Sequence, residues 1–348
     1  MSLTYKAIHW NRQKKMYDLV LLLLIVVYLL SFLVTSALLH PNLDPVNLII
    51  RATGSLAILL LHLVLFIGPL CRMNTQFLPL LYNRRHLGVT TFTIAAIHGV
   101  LSLLHFHGGG DTPALISLFT ANPNYTSFTL FPFQVLGFFA LLILLLMAAT
   151  SHDFWLKNLG QKFWKNMHIA VYKAYFLVIM HILLGVIQLE SSPLFLLLLG
   201  AGMLGLIGLH LWTGIREYRI DRKVNLLVKE GMLVAGKLSD WNFRETKIIS
   251  NGKSRIAIFR HRNKLSAVSN VCRHQGGPLG EGKLVEGCIT CPWHGYQYFP
   301  EDGTSPPPFE EKIPTYEVQI VGNKVLVDPI PHPPGTFIPP ADISEKKR

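Results

Sequence analysis

Six stretches of this chain are each long and apolar enough to cross a lipid bilayer, and no soluble fold accommodates that many. They run over Leu19–Leu39, Leu48–Leu70, Leu87–Phe106, Leu130–Thr150, His168–Ile187 and Pro193–Thr213, each close to the roughly 20 residues a helix needs to span about 30 Å of hydrocarbon. Lipid offers no partner for a backbone N–H or C=O, so segments of this kind must be helical. The first run is 21 residues long with no small-residue cleavage site after it, and it reads as a retained span rather than a signal peptide. Residues 19–216 are therefore expected to form an all-α polytopic membrane bundle of six transmembrane helices.

Lysine and arginine are retained on the cytoplasmic side during insertion, and here they alternate consistently. Lys6, Arg12, Lys14 and Lys15 precede the first span; Arg72, Arg84 and Arg85 separate the second and third; Lys157, Lys162 and Lys165 separate the fourth and fifth; Arg216, Arg219, Arg222 and Lys223 follow the sixth. The intervening segments 40–47, 107–129 and 188–192 carry none. The expectation is a multi-pass plasma-membrane protein with both termini, including the segment 1–18, in the cytoplasm. The net charge of +12 is scattered between apolar runs, which excludes nucleic acid as a partner and leaves the lipid bilayer.

From about Asp221 the pattern changes to short β-type runs divided by turn residues: KIIS, Asn251-Gly252, RIAIF, KLSAVS, then YEVQIV, Gly322-Asn323 and KVLVDP. A two-residue link between alternating runs predicts a hairpin. A small all-β domain is expected over 221–330. The proline-rich 331–348 has too little apolar bulk to pack and is expected to form a disordered or extended tail.

Three of the four cysteines, Cys272, Cys288 and Cys291, fall within 25 residues of that domain, which points to metal ligation in a reducing compartment rather than a disulfide framework. Cys272 and His274 form a Cys-x-His pair, and after a gap of 16 residues Cys291 and His294 form Cys-x-x-His. Two thiolates and two imidazoles suit zinc as well as an iron–sulfur centre. The surroundings separate the two. Gly276-Gly277-Pro278, Pro292-Trp293, Gly295 and the later Gly303 and Ser305-Pro306-Pro307-Pro308 resemble the loops of a Rieske [2Fe–2S] domain. That resemblance implies a cluster held by Cys272, His274, Cys291 and His294. Rieske proteins of the respiratory cytochrome bc complexes carry an extra disulfide-bonded cysteine in each loop, but here Gln275 follows His274 and Cys288 stands alone. The resemblance therefore implies the ferredoxin and oxygenase branch with a lower potential, and Cys288 reads as a small buried apolar residue.

Histidines deep in membrane spans are functional hypotheses by default, and His62, His98, His105, His168, His181 and His210 all fall in spans. His168 and His181 are 13 residues apart, roughly 20 Å along a helix, enough to serve two leaflets. On an ideal helix their rings would point about 140° apart, so the helix is locally distorted or serves sites on two sides. The bland alternative is hydrogen bonding between helices. Residues 84–104, RRHLGVTTFTIAAIHGVLSLL, and 158–183, NLGQKFWKNMHIAVYKAYFLVIMHIL, resemble the ferric reductase-like transmembrane domain. Asp44-Pro45-Val46 and Thr53-Gly54 are similar to the haem membrane subunits of the bacterial methionine sulfoxide reductase system. The resemblance implies that His98, His168 and His181 ligate b-type haem, one or two in number, with His105 or His62 as candidates for a further ligand.

Gly200, Gly202 and Gly205 match G-x-G-x-x-G but lie inside the sixth apolar span, so no FAD or NAD(P) site is expected. Together these features predict transmembrane electron transfer. A cytoplasmic reductase or ferredoxin would reduce the cluster, and electrons would pass through haem to an outer acceptor such as ferric iron or a partner reductase. Two alternatives stand beside it: reverse flow from quinol to a cytoplasmic oxygenase, and a redox or iron sensor. A bacterial inner membrane is the expected location.

Overall fold

The computed structural model describes residues 12–39, 41–189, 193–222, 228–229, 231–241, 246–252, 254–293 and 295–343. They form two compact units, one holding the helices up to Gly68 and Asn83–Gly208, the other holding Pro69–Tyr82 and the chain from Leu209 on. The helices are α1 (Arg12–Leu39), α2 (Pro45–Met73), α3 (Leu78–Tyr82), α4 (Arg84–His107), α5 (Ala114–Thr120), α6 (Phe133–Ala149), α7 (Asp153–Leu159), α8 (Gln161–Ile169), α9 (Val171–Leu184), α10 (Val186–Leu189) and α11 (Pro193–Arg222).

Among the described residues, five segments are long and apolar enough to cross a membrane. The expected fourth span, Leu130–Thr150, is shorter: α6 has 17 residues, about 26 Å at 1.5 Å each. Its start falls after Pro132, whose ring disfavours helical backbone at the preceding Phe131. Leu130, just before, bonds outside the helix, its N–H to Ser127 Oγ at 3.2 Å and its carbonyl to Asn122 Nδ2 at 3.0 Å. The fifth span departs differently. It breaks at Ala170 into α8 and α9, where the Ala170 N–H turns to the Met167 carbonyl at 3.1 Å. A local distortion is one of the two alternatives that the 13-residue spacing of His168 and His181 left open.

Leu61, Leu65, Leu144, Val171, Ala174, Tyr175, Ile179 and Leu206 make the bundle's core. Leu19, Leu22, Leu23 and Leu30 of α1 remain outward and exposed, a surface that is stable only against lipid.

In the other unit the strands are β1 (Val228–Lys229), β2 (Met232–Lys237), β3 (Thr246–Ser250), β4 (Arg255–His261), β5 (Lys264–Ser269), β6 (Lys283–Val285), β7 (Cys288–Thr290), β8 (Gln297–Tyr298), β9 (Thr315–Tyr316), β10 (Val318–Val321), β11 (Lys324–Val327) and β12 (Ala341–Asp342). A sheet ordered β1-β2-β11-β10 and a sheet ordered β12-β5-β4-β3 share a core of Leu233, Ile256, Ile258, Leu265, Val325 and Val327. The predicted Gly322-Asn323 hairpin pairs Val321 with Lys324, and Gly322 takes φ 59°, which a glycine adopts without strain. Arg255 on β4 binds Asp221 near the end of α11 bidentately, at 2.8 and 2.7 Å, and also meets Glu217.

The expectation of an unpacked tail from residue 331 is overturned. His332 N–H reaches the Thr315 carbonyl at 2.9 Å, Ile338 N–H the Glu301 carbonyl at 2.8 Å, and Ile343 N–H the Asn263 carbonyl at 2.8 Å. Ala341 pairs with Leu265, making β12 the edge of its sheet. Backbone hydrogen bonds on the non-proline residues hold this segment down, with Ala341 and Ile343 packed against the core. The β-unit thus runs to residue 343.

Candidate redox centres

Between β5 and β6 lies one loop, and between β7 and β8 another, and the two are built alike. In the first, Cys272 N–H donates to the Gly277 carbonyl at 2.9 Å while the Cys272 carbonyl accepts from Gly276 N–H at 2.8 Å. In the second, Cys291 N–H donates to the Tyr296 carbonyl at 2.7 Å and its carbonyl accepts from Gly295 N–H at 2.9 Å. Gly276 and Gly295 have φ 74° and 69°, so each loop turns on a left-handed glycine four residues after its cysteine. Both cysteines are buried at 1% exposure and share the core of Ala257, Phe259, Leu279, Ile289 and Tyr298. A hydrogen bond with Cys291, opposed by burial, holds the Cys272 thiol below its ordinary range.

The donor set fits a bridged iron pair: two buried cysteines reach each other, and His274 stands beside one of them. Gly277 packs so closely that a Cβ there would lie 2.7 Å from Cys291 Sγ, so the loop tolerates no side chain at that position. The His274 ring stacks on Tyr296 at 5.1 Å and 12°, and Tyr296 is held in turn by the Glu311 carboxylate. His294 lies outside the described residues. Cys288, expected as a small buried residue, is 8% exposed, and burial raises its thiol pKa. From the same unit, Arg72 Nε approaches Glu281 at 3.2 Å just after the first loop. The phenol of Tyr82, at the end of α3, is pushed up to about 12, chiefly by burial and then by the negative charge of Cys291 and Cys71.

Tyr298 is a candidate functional residue that sequence reasoning missed. Its hydroxyl oxygen accepts from Arg273 N–H at 3.0 Å, which directs its O–H toward Cys272 Sγ at 3.4 Å. A hydrogen bond to a ligand sulfur stabilises the extra negative charge of a reduced cluster and raises its potential. This runs against the lower potential expected from the missing loop cysteines. Tyr298→Phe should lower the cluster midpoint potential in an EPR-monitored redox titration while leaving cluster content unchanged; an unmoved potential contradicts the assignment.

In the membrane unit three histidines share one state. His98 Nδ1–H donates to the Ile50 carbonyl at 2.9 Å, His168 Nδ1–H to the Trp164 carbonyl at 3.0 Å, and His181 Nδ1–H to the Phe133 carbonyl at 2.8 Å. A carbonyl only accepts, so Nδ1 carries the proton and Nε2 keeps its lone pair, the arrangement that metal-ligating histidines use. Nε2 of His168 is buried with no hydrogen-bond partner among the described residues. The rings of His98 and His181 stand 6.4 Å apart between centroids. Two imidazoles that face one ion from opposite sides through bonds of about 2 Å would have centroids roughly 6.3 Å apart. By donor type and hydrogen-bond state these residues would suit holding haem iron.

The two candidates for a further ligand do not share that state. Both nitrogens of His62 are used: Nδ1–H donates to the Ile58 carbonyl and Nε2 accepts from the Tyr175 hydroxyl, each at 2.9 Å. Its lone pair is occupied, so His62 fits the bland alternative, a hydrogen bond between helices. His62→Leu should cost about 1 kcal/mol of stability and leave the haem absorption spectrum unchanged; loss of haem would reinstate His62 as a ligand. His105 Nε2 lies 3.7 Å from Asp44 Oδ2 at the far end of α4.

A helical membrane domain with buried imidazoles, joined to a β-domain with paired cysteine loops, defines a ferric reductase-like membrane component fused to a Rieske domain. Residues 53–180 match the model of the family "Ferric reductase like transmembrane component" and residues 231–317 that of the "Rieske [2Fe-2S] domain". Over its membrane part the chain belongs to the family of protein-methionine-sulfoxide reductase heme-binding subunits MsrQ. The relative from Pectobacterium atrosepticum is 33% identical over 152 residues, 43% of this chain and 70% of that protein. The relative from Herminiimonas arsenicoxydans is 32% identical over 138 residues, 40% of this chain and 58% of that protein. Among solved structures, the ferredoxin of carbazole 1,9a-dioxygenase from Nocardioides aromaticivorans matches at 22% identity, covering 29% of this chain and all of that one, with a TM-score of 0.28.

Proposed function

We propose that this chain conducts single electrons across a bacterial inner membrane, from a cytoplasmic reductase or ferredoxin through a Rieske cluster to b-type haem, and on to an outer acceptor, ferric iron or a partner reductase. The observation that carries this reading is the common hydrogen-bond state of His98, His168 and His181 in the same chain as two matched cysteine loops. When bound, cluster and haem supply one-electron redox chemistry. Cys272 and Cys291 would hold one iron of the cluster, and His274 and His294 the other. His98 and His181 would hold one haem and His168 a second. Tyr296 and Glu311 orient the His274 ring, and Tyr298 donates to the ligand sulfur. The relatives' role as heme-binding subunits agrees with this assignment, and the alternation of basic segments agrees with cytoplasmic termini.

The test is stopped-flow mixing of the oxidised purified protein with a reduced small ferredoxin. Bleaching of the cluster followed by growth of the reduced-haem bands is expected; cluster reduction with no haem reduction after it overturns the proposal. One observation favours reverse flow, from quinol through haem to the cluster and a cytoplasmic oxygenase: the Tyr298 hydroxyl lies 3.4 Å from Cys272 Sγ, a hydrogen bond that would raise the cluster potential. Potentiometry separates the two, since a cluster well above both haems in potential supports the reverse direction.

A further inference from the structure

Two glycines in the membrane unit stand in the same relation to two histidines. A Cβ added to Gly54 would lie 2.8 Å from Cε1 and 2.9 Å from Nδ1 of His98; one added to Gly137 would lie 2.8 Å from Nδ1 and 2.9 Å from Cε1 of His181. In each case the carbonyl that accepts the histidine's Nδ1–H belongs to the residue four positions earlier on the glycine's own helix, Ile50 on α2 and Phe133 on α6.

The geometry of the α-helix explains the recurrence. The carbonyl of residue i already accepts the N–H of residue i+4 and keeps capacity for a further donor; the Ile50 carbonyl shares it between His98 and the Thr53 hydroxyl, the latter at 3.1 Å. Every Cα–Cβ bond tilts toward the helix N-terminus, so the side chain at i+4 normally lies over the carbonyl of residue i and shields it. Glycine at i+4 uncovers it. His62 and His168 need no such opening, because each donates to the carbonyl four residues back on its own helix. Gly202 also sits against an imidazole, 2.7 Å from its would-be Cβ to His62 Nε2, but there it faces the nitrogen already bonded to Tyr175.

We propose that Gly54 and Gly137 are positioning residues: each opens a notch through which a backbone carbonyl of a neighbouring helix fixes the tautomer and ring orientation of His98 or His181. The inference rests on the reading of these two histidines as haem ligands. A side chain in either notch displaces the ring from its carbonyl and removes the hydrogen bond that strengthens the imidazole as a donor to iron. Loss of such an outer partner costs 10–100-fold in metal-site affinity.

The full-length chain is purified as wild type and as Gly54→Ala, Gly137→Ala, His98→Ala, His181→Ala and Gly99→Ala, and haem retention, low-spin EPR g values and midpoint potential are measured. Gly99 is the matched control, since its added Cβ would meet Leu141 Cδ2 at 2.9 Å and no histidine. Gly54→Ala and Gly137→Ala are expected to hold the shared haem 10–100-fold more weakly, with shifted g values and a raised potential, while Gly99→Ala matches wild type. Wild-type haem retention, g values and potential in both notch variants, with haem lost from the histidine variants, overturns the positioning role and leaves the ligand reading standing. Full haem in the histidine variants overturns both. If a notch variant does not insert, pulsed EPR of the wild type after deuterium exchange reads the same bond: a slowly exchanging proton on the remote nitrogen of both ligands is expected, and its absence overturns the proposal.

Discussion

Cys272→Ala is expected to abolish both the [2Fe–2S] EPR signal and electron delivery from a cytoplasmic donor to haem, and to leave the haem absorption of the membrane unit intact. The reasons are local. Cys272 is 1% exposed, lies in one core with Cys291, and takes the hydrogen bond of Tyr298. Its removal leaves one iron with a single thiolate and strands the Tyr298 hydroxyl beside an apolar methyl. The membrane histidines draw their hydrogen bonds from Ile50, Trp164 and Phe133, none of which belongs to the β-unit, so their haem should survive. Simultaneous loss of cluster and haem would mean that the two centres do not assemble independently. Undiminished delivery to haem would remove the cluster from the path.

The second large effect separates the membrane histidines into two sets. His98→Ala and His181→Ala should each remove the same haem, about half of the total per chain, and the double variant should remove no more than either single one, because residues that act as one unit are not additive. His168→Ala should remove the other haem, with a different change in the reduced-minus-oxidised spectrum. The grouping follows from the 6.4 Å separation of the His98 and His181 rings and from the helix break at Ala170, which puts His168 and His181 on separate segments. If His168→Ala and His181→Ala proved spectrally identical, the pairing would be wrong.

Much of this architecture was legible in the residues because each signal is local. Apolar length marks a span, Gly322-Asn323 marks a hairpin, and the Cys-x-His and Cys-x-x-His pairs with their glycines mark the loops. What escaped depended on partners far away in sequence. His62 reads like His98 until Tyr175, 113 residues on, takes its Nε2. Tyr298 reads as one more buried aromatic in a short strand; only its 26-residue reach back to Cys272 shows that its hydroxyl has a task. The segment from 331 to 343 has the composition of a tail, yet its backbone finds acceptors at Thr315, Glu301 and Asn263. The shortness of α6 was readable in Pro132 and was hidden by an apolar flank, Leu130 and Phe131, that composition cannot tell from helix.

A single sample puts the whole account to the test: optical and EPR spectra of the purified full-length chain, expressed with ample iron and haem, alongside metal analysis. A reduced [2Fe–2S] signal accompanied by low-spin haem absorption, with iron in excess of haem by two per chain, is the predicted result. A colourless protein containing zinc and no iron would contradict it.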